Sequence, residues 1–184
     1  MKLMKIFSLF FIIFFFHSSY AIKAFNKPQE IKAIGTIEVA FSPNNGVTSV
    51  VVNAINQAKK QILVEAYSFT SKPIANAIVE AKRRGVDIWI LLDKTQNKSG
   101  YSVAKFFYNH GISKIKIDQK HAIFHNKIMI IDNENLITGS FNFTKAAEEK
   151  NAENLLYFKN NKDLTNIYIK EFAYNWNMAI IYRP

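Results

Sequence analysis

Short apolar runs alternate with amphipathic stretches along most of this sequence, which restricts the folds that it can adopt. Ile37–Phe41, Ile62–Phe69 and Val86–Leu92 are strand-like, whereas Thr48–Lys60 repeats its apolar residues at helical spacing. Strands that alternate with helices usually build layered domains in which helices cover a β-sheet. We therefore predict an α/β fold with a layered mixed sheet flanked by helices, in one domain because the connecting segments are short.

The remaining segments extend the same pattern to the C-terminus. A helix is predicted to follow Ser71, with Pro73 in its first turn and Gly85 just beyond its end. The other predicted elements are a helix at Val103–His110, strands at Ser113–Ile117, Lys127–Ile131, Leu136–Thr138 and Glu153–Phe158, a hairpin turn at Asp132–Asn135, and a helix capped by Asp163 that ends near Trp176.

The first 21 residues differ from the rest of the chain. Lys2 and Lys5 precede the apolar run Ile6–Phe16, and small and polar residues follow as far as Ala21. This order is typical of a secretory signal peptide, whereas a membrane-spanning helix, the alternative, needs roughly 20 apolar residues. We predict that residues 1–21 are a cleaved signal peptide and that residues 22–184 form a single secreted domain, periplasmic or extracellular.

Charge and cysteine content restrict the partners and the chemistry of the exported chain. After loss of the signal peptide it keeps 22 Lys and Arg against 14 Asp and Glu, a formal charge of +8. Such a surface favours polyanions, either nucleic acid or anionic lipid headgroups. The sequence has no cysteine, which excludes disulfides, a cysteine nucleophile and thiolate zinc sites.

The segment around His125 carries the residues best suited to chemistry. His125 and Lys127 are two positions apart, so on a strand their side chains point to the same face. Met129 and Ile131 continue this face and are expected in the core. A histidine and a lysine therefore project together from the end of a buried strand.

A second group of polar residues is expected at the same place. Leu136–Thr138 should pair with the strand that follows His125, which brings Ser140 and Asn142 to the same end of the sheet. Lys127 supplies positive charge and the hydroxyl and amide supply neutral donors, a combination that suits a phosphate group.

His125 and Glu153 add reactive groups to this cluster. A neutral imidazole can attack phosphorus or transfer protons near neutral pH. Glu153, at the start of the next predicted strand, could fix the imidazole tautomer through the other ring nitrogen.

The spacing H-x-K-x4-D-x6-G-S-x-N, from His125 to Asn142, resembles the signature of the phospholipase D superfamily at every position. Glu153-Asn154 stands where that family has the acid that orients its histidine. The motif covers about 30 residues, and the α/β pattern before it agrees with the family over most of residues 22–184. The resemblance implies a phospholipase D/nuclease-like fold and a single catalytic domain.

The resemblance also implies a role for each residue of the motif. His125 would form a phosphohistidine intermediate and Glu153 would orient it. The phosphoryl oxygens would be bound by Lys127, Ser140 and Asn142. Asp132 is counted with the catalytic residues, although in the family it supports local structure more than chemistry. Neither a metal ion nor another cofactor is implied.

The family chemistry uses two such motifs, since one histidine attacks while the other protonates the leaving oxygen and then activates water. This chain contains one H-x-K motif. The resemblance therefore implies a twofold homodimer with its active site at the interface.

Three functions remain open for such a protein. The first is a secreted phospholipase D that hydrolyses phosphatidylcholine-type lipids to phosphatidic acid and a headgroup, with a role in virulence. The second is a sequence-nonspecific, metal-independent endonuclease. The third, a non-catalytic basic module that binds DNA or membranes, is disfavoured by the complete motif. The composition, rich in Lys, Asn and Ile, favours the first, because secreted phospholipases D of intracellular bacteria share it.

Four residues outside the motif are also candidates. Glu65 and Tyr67 share one strand face, which can form either the cleft wall or a solvent-exposed surface. His121 is expected in a loop, with a structural role favoured over one at the cleft. Asp93 ends a strand where ligands often approach in α/β folds, and turn capping explains it equally well.

Overall fold

The computed structural model describes residues 25–97 and 102–184, so the predicted signal peptide lies outside the described residues. The strands are β1 (Thr36–Ser42), β2 (Gln61–Ala66), β3 (Asp87–Asp93), β4 (Ile115–Asp118), β5 (Lys127–Ile131), β6 (Asn135–Gly139), β7 (Glu153–Lys159) and β8 (Ile180–Ile181). The helices are α1 (Val47–Gln57), α2 (Lys72–Arg83), α3 (Val103–Asn109), α4 (Lys145–Glu149) and α5 (Lys162–Met178), and Lys94–Asn97 forms a 3-10 turn. None of the described helices is long and apolar enough to cross a membrane.

All of these strands belong to one sheet, in the order β1-β7-β6-β5-β2-β3-β4-β8. Strands β2, β3 and β4 are parallel, as expected for strands connected by helices, and the remaining pairs are antiparallel. The predicted α/β fold with a mixed sheet flanked by helices is confirmed.

Each face of the sheet has its own apolar layer. On one face, Met129 and Ile131 of β5 pack with α1, α2 and α3 in the larger cluster of buried side chains. On the other face, Ile128 and Ile130 pack with Phe172 of α5. The alternation predicted for this strand is therefore present, and the strand is buried on both sides.

Several predicted element boundaries differ from the structure; helix α1, for example, ends at Gln57 rather than at Lys60. Strand β2 ends at Ala66 rather than Phe69, because the chain leaves the sheet and Phe69 forms only an isolated bridge with Phe143. Helix α5 is capped by Asn161, whose side chain accepts a hydrogen bond from the Leu164 N–H, while Asp163 lies in the first turn. Both residues are good caps, and sequence alone does not decide between caps two positions apart.

Two short elements were not predicted. Helix α4 has five residues and begins after Thr144, whose hydroxyl accepts a hydrogen bond from the Ala147 N–H. Strand β8 has two residues and pairs with β4 at the edge of the sheet. Elements this short contain less than two periods of any hydrophobic pattern, so they depend on tertiary contacts.

Candidate active site

The polar residues of the motif other than Asp132 meet at one end of the sheet. Strand β5 begins there with Lys127, which pairs with Ala66 at the end of the antiparallel strand β2. Strand β6 ends there at Gly139, and β7 begins there with Glu153. The alternating directions of these neighbours therefore bring three separate segments together, as the predicted pairing requires.

His125 lies two positions before the first residue of β5, with its side chain exposed. Its ring is tilted against the ring of Tyr67, with the centroids 4.6 Å apart. The Tyr67 N–H donates a 2.9 Å hydrogen bond to the Asn126 carbonyl, so the backbone beside His125 is fixed to the end of β2. No described residue hydrogen-bonds to the His125 ring, so neither ring nitrogen is occupied by a partner within the described part of the chain.

Lys127 is 7% exposed, although its side chain ends beside the exposed histidine. Its Nζ donates a 2.8 Å hydrogen bond to the His125 carbonyl and lies 5.2 Å from the centroid of the Tyr67 ring. Burial lowers the pKa of Lys127, and the nearby Glu153 carboxylate opposes this effect. Because an ammonium group has three donors, Lys127 keeps donors for an anionic ligand.

Ser140 and Asn154 form a pair that orients the serine hydroxyl. The backbone N–H of Asn154 donates to Ser140 Oγ at 3.0 Å, and its side-chain Nδ2 donates at 3.3 Å. These bonds occupy the acceptor positions of the hydroxyl, so its proton is free to be donated to a ligand oxygen. Of the predicted Glu153-Asn154 pair, Asn154 therefore contacts a motif residue, Ser140, of its own chain.

Asn142 alternates with two anchoring rings along the segment after β6. Phe141 and Phe143 are both fully buried in the larger core cluster and hold the segment in place. Asn142 Oδ1 is buried and has no hydrogen-bond partner among the described residues. A buried polar atom without a partner costs about 1–3 kcal/mol. This atom is therefore suited to a donor from a ligand or from a second copy of the chain.

Glu153 does not contact His125 in the described part of a single chain. Its Oε1 accepts a 3.0 Å hydrogen bond from Asn151 Nδ2, and it lies close enough to Lys127 to raise the pKa of that amine. The orienting role implied for Glu153 therefore stays a prediction.

Asp132 lies at the far end of β5 from His125, in the hairpin turn to β6. Its carboxylate accepts hydrogen bonds from the backbone N–H groups of Lys59, Lys60 and Gln61, at 2.9, 2.7 and 3.0 Å. Burial alone would raise the pKa of Asp132, but these bonds hold it below its usual value. Asp132 therefore fixes the start of β2 and stands apart from the cluster around His125.

Asp93 and His121 also make structural contacts. Asp93 accepts hydrogen bonds from the Thr95 N–H and hydroxyl and from the Phe124 N–H, which lower its pKa against the opposing effect of burial. The His121 ring lies 3.0 Å from an oxygen of the buried Asp118. Capping thus accounts for Asp93, and neither residue lines the cavity beside His125.

A cavity of about 620 Å³ opens between the motif and α5. His125, Asn126 and Lys127 are among the residues that line it. Apolar side chains line much of the remainder, namely Phe25, Ile31, Ile128, Leu164, Ile167 and Tyr168. The cavity therefore joins the motif residues for which phosphate binding is predicted to a set of apolar side chains.

Glu65 is part of the wall of this cavity and is only 1% exposed. The solvent-exposed alternative for Glu65 is therefore wrong. Its carboxylate accepts hydrogen bonds from Asn126 Nδ2 at 2.7 Å and from Asn175 Nδ2 at 3.1 Å. The sequence signal for this buried acid was a lone carboxyl group in a strand of mostly apolar residues.

Within residues 25–97 and 102–184, no group of three His, Asp or Glu side chains is arranged to hold a metal ion.

Comparison with known protein families places this geometry in context. The model of the family described as "Cardiolipin synthase, PLD-like domain" matches residues 51–176, which include the whole motif. The phospholipase D of Rickettsia felis is 34% identical over 163 residues, covering 86% of this chain and 76% of that protein. The phospholipase D of Rickettsia conorii is 36% identical over 144 residues, covering 76% of this chain and 67% of that protein.

Solved structures with the same fold are also similar. Nuc from Salmonella typhimurium, a phospholipase D family member, superposes with a TM-score of 0.76 at 39% identity, covering 81% of this chain and 99% of Nuc. NucT from Helicobacter pylori superposes with a TM-score of 0.69 at 19% identity, covering 80% of this chain and all of NucT, a likeness of fold alone.

Proposed function

This chain belongs to the phospholipase D superfamily of phosphodiesterases, and we propose that it is a secreted phospholipase D that hydrolyses phosphatidylcholine-type lipids. The products would be phosphatidic acid and the free headgroup. The observation that carries this choice of substrate is the cavity, in which the His125 cluster adjoins apolar side chains of α5 and the segment before β1.

His125 begins the proposed reaction as a neutral nucleophile. A ring nitrogen forms a bond to phosphorus while the bond from phosphorus to the headgroup oxygen breaks, which leaves a phosphohistidine. Lys127, Ser140 and Asn142 would bind the non-bridging oxygens and stabilise the charge that develops on them. Ser140 is suited to this role because Asn154 occupies its acceptor positions.

A second histidine is needed for the proton transfers, and the partner's His125 would supply it. In the first step its imidazolium protonates the departing headgroup oxygen. In the second step the same group, now neutral, accepts a proton from the water that attacks phosphorus. The bond from phosphorus to nitrogen then breaks, which releases phosphatidic acid and regenerates His125.

An exposed apolar stripe supports the proposed homodimer. Ile37, Val39 and Phe41 lie on one face of the edge strand β1, the face that carries α5 elsewhere in the sheet, and all three are exposed. The stripe ends beside the site, because Phe41 pairs with Asn154 and Ser42 with Glu153. A second copy that covers this stripe would stand next to His125. Contiguous exposed apolar surface of this kind favours association.

The relatives support a lipid substrate for this chain. Five similar Rickettsia proteins carry the name phospholipase D, and more distant relatives are named mitochondrial cardiolipin hydrolase. Export through the predicted signal peptide would bring the enzyme to lipid surfaces outside the cytoplasm. An attack on host membranes, and so a part in virulence, would then be its biological use.

The positive charge favours a second candidate, a sequence-nonspecific endonuclease. A formal charge of +8 on the exported chain would attract the nucleic-acid backbone, and the chemistry at phosphorus would be the same. A phosphodiester of DNA needs no apolar surface beside the phosphate, however, so this candidate leaves the composition of the cavity unexplained.

One assay separates the two candidates. Residues 22–184 would be incubated in EDTA with phosphatidylcholine vesicles and with plasmid DNA in parallel, with the His125→Ala variant as the control. We expect choline release without nicking of the plasmid, and loss of this release in the variant. Nicking without choline release would instead establish the endonuclease.

A third result of this assay would test the catalytic proposal itself. If neither substrate reacts, trapping of a labelled phosphohistidine from another diester would still support His125 as the nucleophile. Failure of this trapping as well would leave a non-catalytic basic module that binds DNA or membranes.

A further inference from the structure

Glu65 is a buried acid without a cationic partner among the described residues. It lies in β2 among apolar residues, and its carboxylate is bound by two asparagine side chains. A charged group removed from water is costly unless it is paired or fully hydrogen-bonded. The proposed chemical steps give no reason for a carboxyl group at this buried position in β2.

The first of these asparagines connects Glu65 to the catalytic residues. Asn126 lies between His125 and Lys127, and its side chain points to the opposite face, where Nδ2 donates to Glu65 Oε2 at 2.7 Å. Its carbonyl accepts the Tyr67 N–H at 2.9 Å. Asn126 is thus fixed to the end of β2 through its backbone and through its side chain.

The second asparagine connects Glu65 to the helix that borders the cavity. Asn175 of α5 is 3% exposed, and its Nδ2 donates to Glu65 Oε1 at 3.1 Å. The same helix contributes Leu164, Ile167 and Tyr168 to the cavity wall. One carboxylate therefore bridges the His125 segment and the wall opposite it.

We propose that Glu65 is a positioning residue for the catalytic histidine, whose ionised carboxylate holds Asn126, and with it the backbone of His125 and Lys127, in fixed relation to α5. This inference rests on the proposed function, because it assigns Glu65 to the site where His125 attacks phosphorus. Glu65 does not touch the reacting atoms and acts only through Asn126.

The ionised form is the one that both asparagines can hold. A carboxylate accepts hydrogen bonds at both oxygens, whereas a protonated carboxyl turns one oxygen into a donor that faces an amide NH₂ group. Protonation therefore breaks one contact or reverses one amide. Burial, opposed by the hydrogen bonds from Asn175 and Asn126, raises the pKa of Glu65 to about 7, so the change falls near neutral pH.

The charged groups around Glu65 determine how its titration can be moved. Glu171 of α5 and Asp118 of β4 are both acidic and raise the pKa of Glu65. Asp93, at the end of the adjacent β3, is already bound by Thr95 and Phe124. The remaining charged or titratable groups that line the shared cavity are Lys27, His125, Lys127 and Tyr168.

The test that does not depend on activity is a pH titration of the side-chain amide signals of Asn126 and Asn175 by ¹⁵N NMR. We expect both to shift with one midpoint near 7, and to lose this transition in Glu65→Gln. Glu171→Gln removes a like charge and should lower the midpoint, whereas Asn175→Ala removes a donor and should raise it. Amide signals that do not titrate, or a midpoint that neither variant moves, would overturn the proposal.

Kinetics on bis(p-nitrophenyl) phosphate supply the second test, since this small diester requires neither a lipid surface nor DNA. We expect Glu65→Gln to lower kcat about 10-fold, with KM changed less than twofold, because misplacement of a nucleophile affects the reaction more than binding. An unchanged kcat across the pH range would refute positioning. If the amide titration is present but no diester reacts, the proposed function fails while the Glu65 contacts stand. If Glu65→Gln does not fold, the opposite midpoint shifts in the other two variants test the Glu65 contacts, and a lowered kcat in Asn126→Ala, with KM unchanged, tests positioning.

Discussion

Single residues in this site are kept in environments that oppose their ordinary ionisation. Lys127 is nearly buried, which lowers the pKa of its amine, and Glu65 is buried among apolar neighbours, which raises the pKa of its carboxyl. The charged form of each residue would be more stable in water than at its buried position. A site that depends on ionised Glu65 therefore sacrifices stability for geometry, as functional sites commonly do.

The cost of Glu65 should be visible in the stability of the folded chain. The pKa of Glu65 is about 7 in the folded chain and 4.5 for an unperturbed glutamate, the value taken for the unfolded chain. Between pH 4.5 and 7 the folded state therefore holds a proton that the unfolded state has lost. The free energy of unfolding should then fall as pH rises through this window, by roughly 3 kcal/mol relative to Glu65→Gln, and level off above it. Urea unfolding of both proteins from pH 4.5 to 8 measures this difference. If the free energy of unfolding changed with pH in the same way for both proteins, the pKa of about 7 for Glu65 would be contradicted.

At the scale of elements, the β5–β6 hairpin connects two distant parts of the chain. Asp132 and Asn133 have φ values of 55° and 60°, as in the tight hairpin turns that twist with the sheet. Asp132 also binds three successive backbone N–H groups at the start of β2. Asp132, the motif residue farthest from His125, thus fixes the start of β2, the strand that carries Glu65 and ends just before Tyr67.

Removal of the Asp132 carboxylate should therefore destabilise the fold. We expect Asp132→Ala to lower the free energy of unfolding by about 2–3 kcal/mol, since bonds to charged groups are worth about 1.5–3 kcal/mol. Asp132→Asn is the matched control, because asparagine tolerates the positive φ and keeps one acceptor oxygen. It should cost about half as much in urea denaturation at pH 7. Because the pKa of Asp132 is held low, the difference between wild type and Asp132→Ala should shrink as pH falls below 4. Losses close to zero for both variants would mean that the backbone bonds contribute little.

The sequence predicted the elements with long periodic patterns and the residues with fixed spacing. Because side chains alternate along a strand, the shared face of His125 and Lys127 followed from their separation, and Ser140 and Asn142 followed from strand pairing. The bridge from Glu65 to Asn175 could not be predicted in this way. It joins residues 110 positions apart, and only the packing of α5 against the sheet brings them together. The missing contact between Glu153 and His125 likewise depends on three-dimensional placement rather than spacing.

The exposed stripe on β1 provides a test of the proposed dimer surface. Val39 is 51% exposed, so Val39→Asp should leave the folded monomer intact but place a charge in the interface. We expect the dissociation constant of the dimer to rise about 100-fold or more, as for an uncompensated buried charge. Ile181→Asp, on β8 at the opposite edge of the sheet and 62% exposed, is the matched control and should remain dimeric. Sedimentation velocity measures both. A dimeric Val39→Asp variant would exclude this surface.

At the scale of the whole molecule, each chain of the proposed homodimer would supply half of the active site. The described residues of one chain bring together one histidine, one lysine and one Ser140-Asn154 pair, and the buried Asn142 Oδ1 has no partner among them. Hydrolysis through a phosphohistidine needs a second acid and base on the other side of phosphorus. The charge of +8 predicted for the chain without residues 1–21 would also be doubled around the shared cleft, which would strengthen the attraction of any anionic substrate.

Coexpression of wild-type chains with His125→Ala chains tests whether the two halves form one site. With equal amounts and random pairing, about a quarter of the dimers would keep both histidines, and only these would complete the reaction. We expect the activity per total chain to fall to about a quarter of the wild-type value. Two differently tagged chains allow the mixed dimer to be isolated, and this species should be inactive against bis(p-nitrophenyl) phosphate. Half-maximal activity in the mixture, with an active mixed dimer, would instead mean that each chain carries a complete site, and that the second histidine is not required.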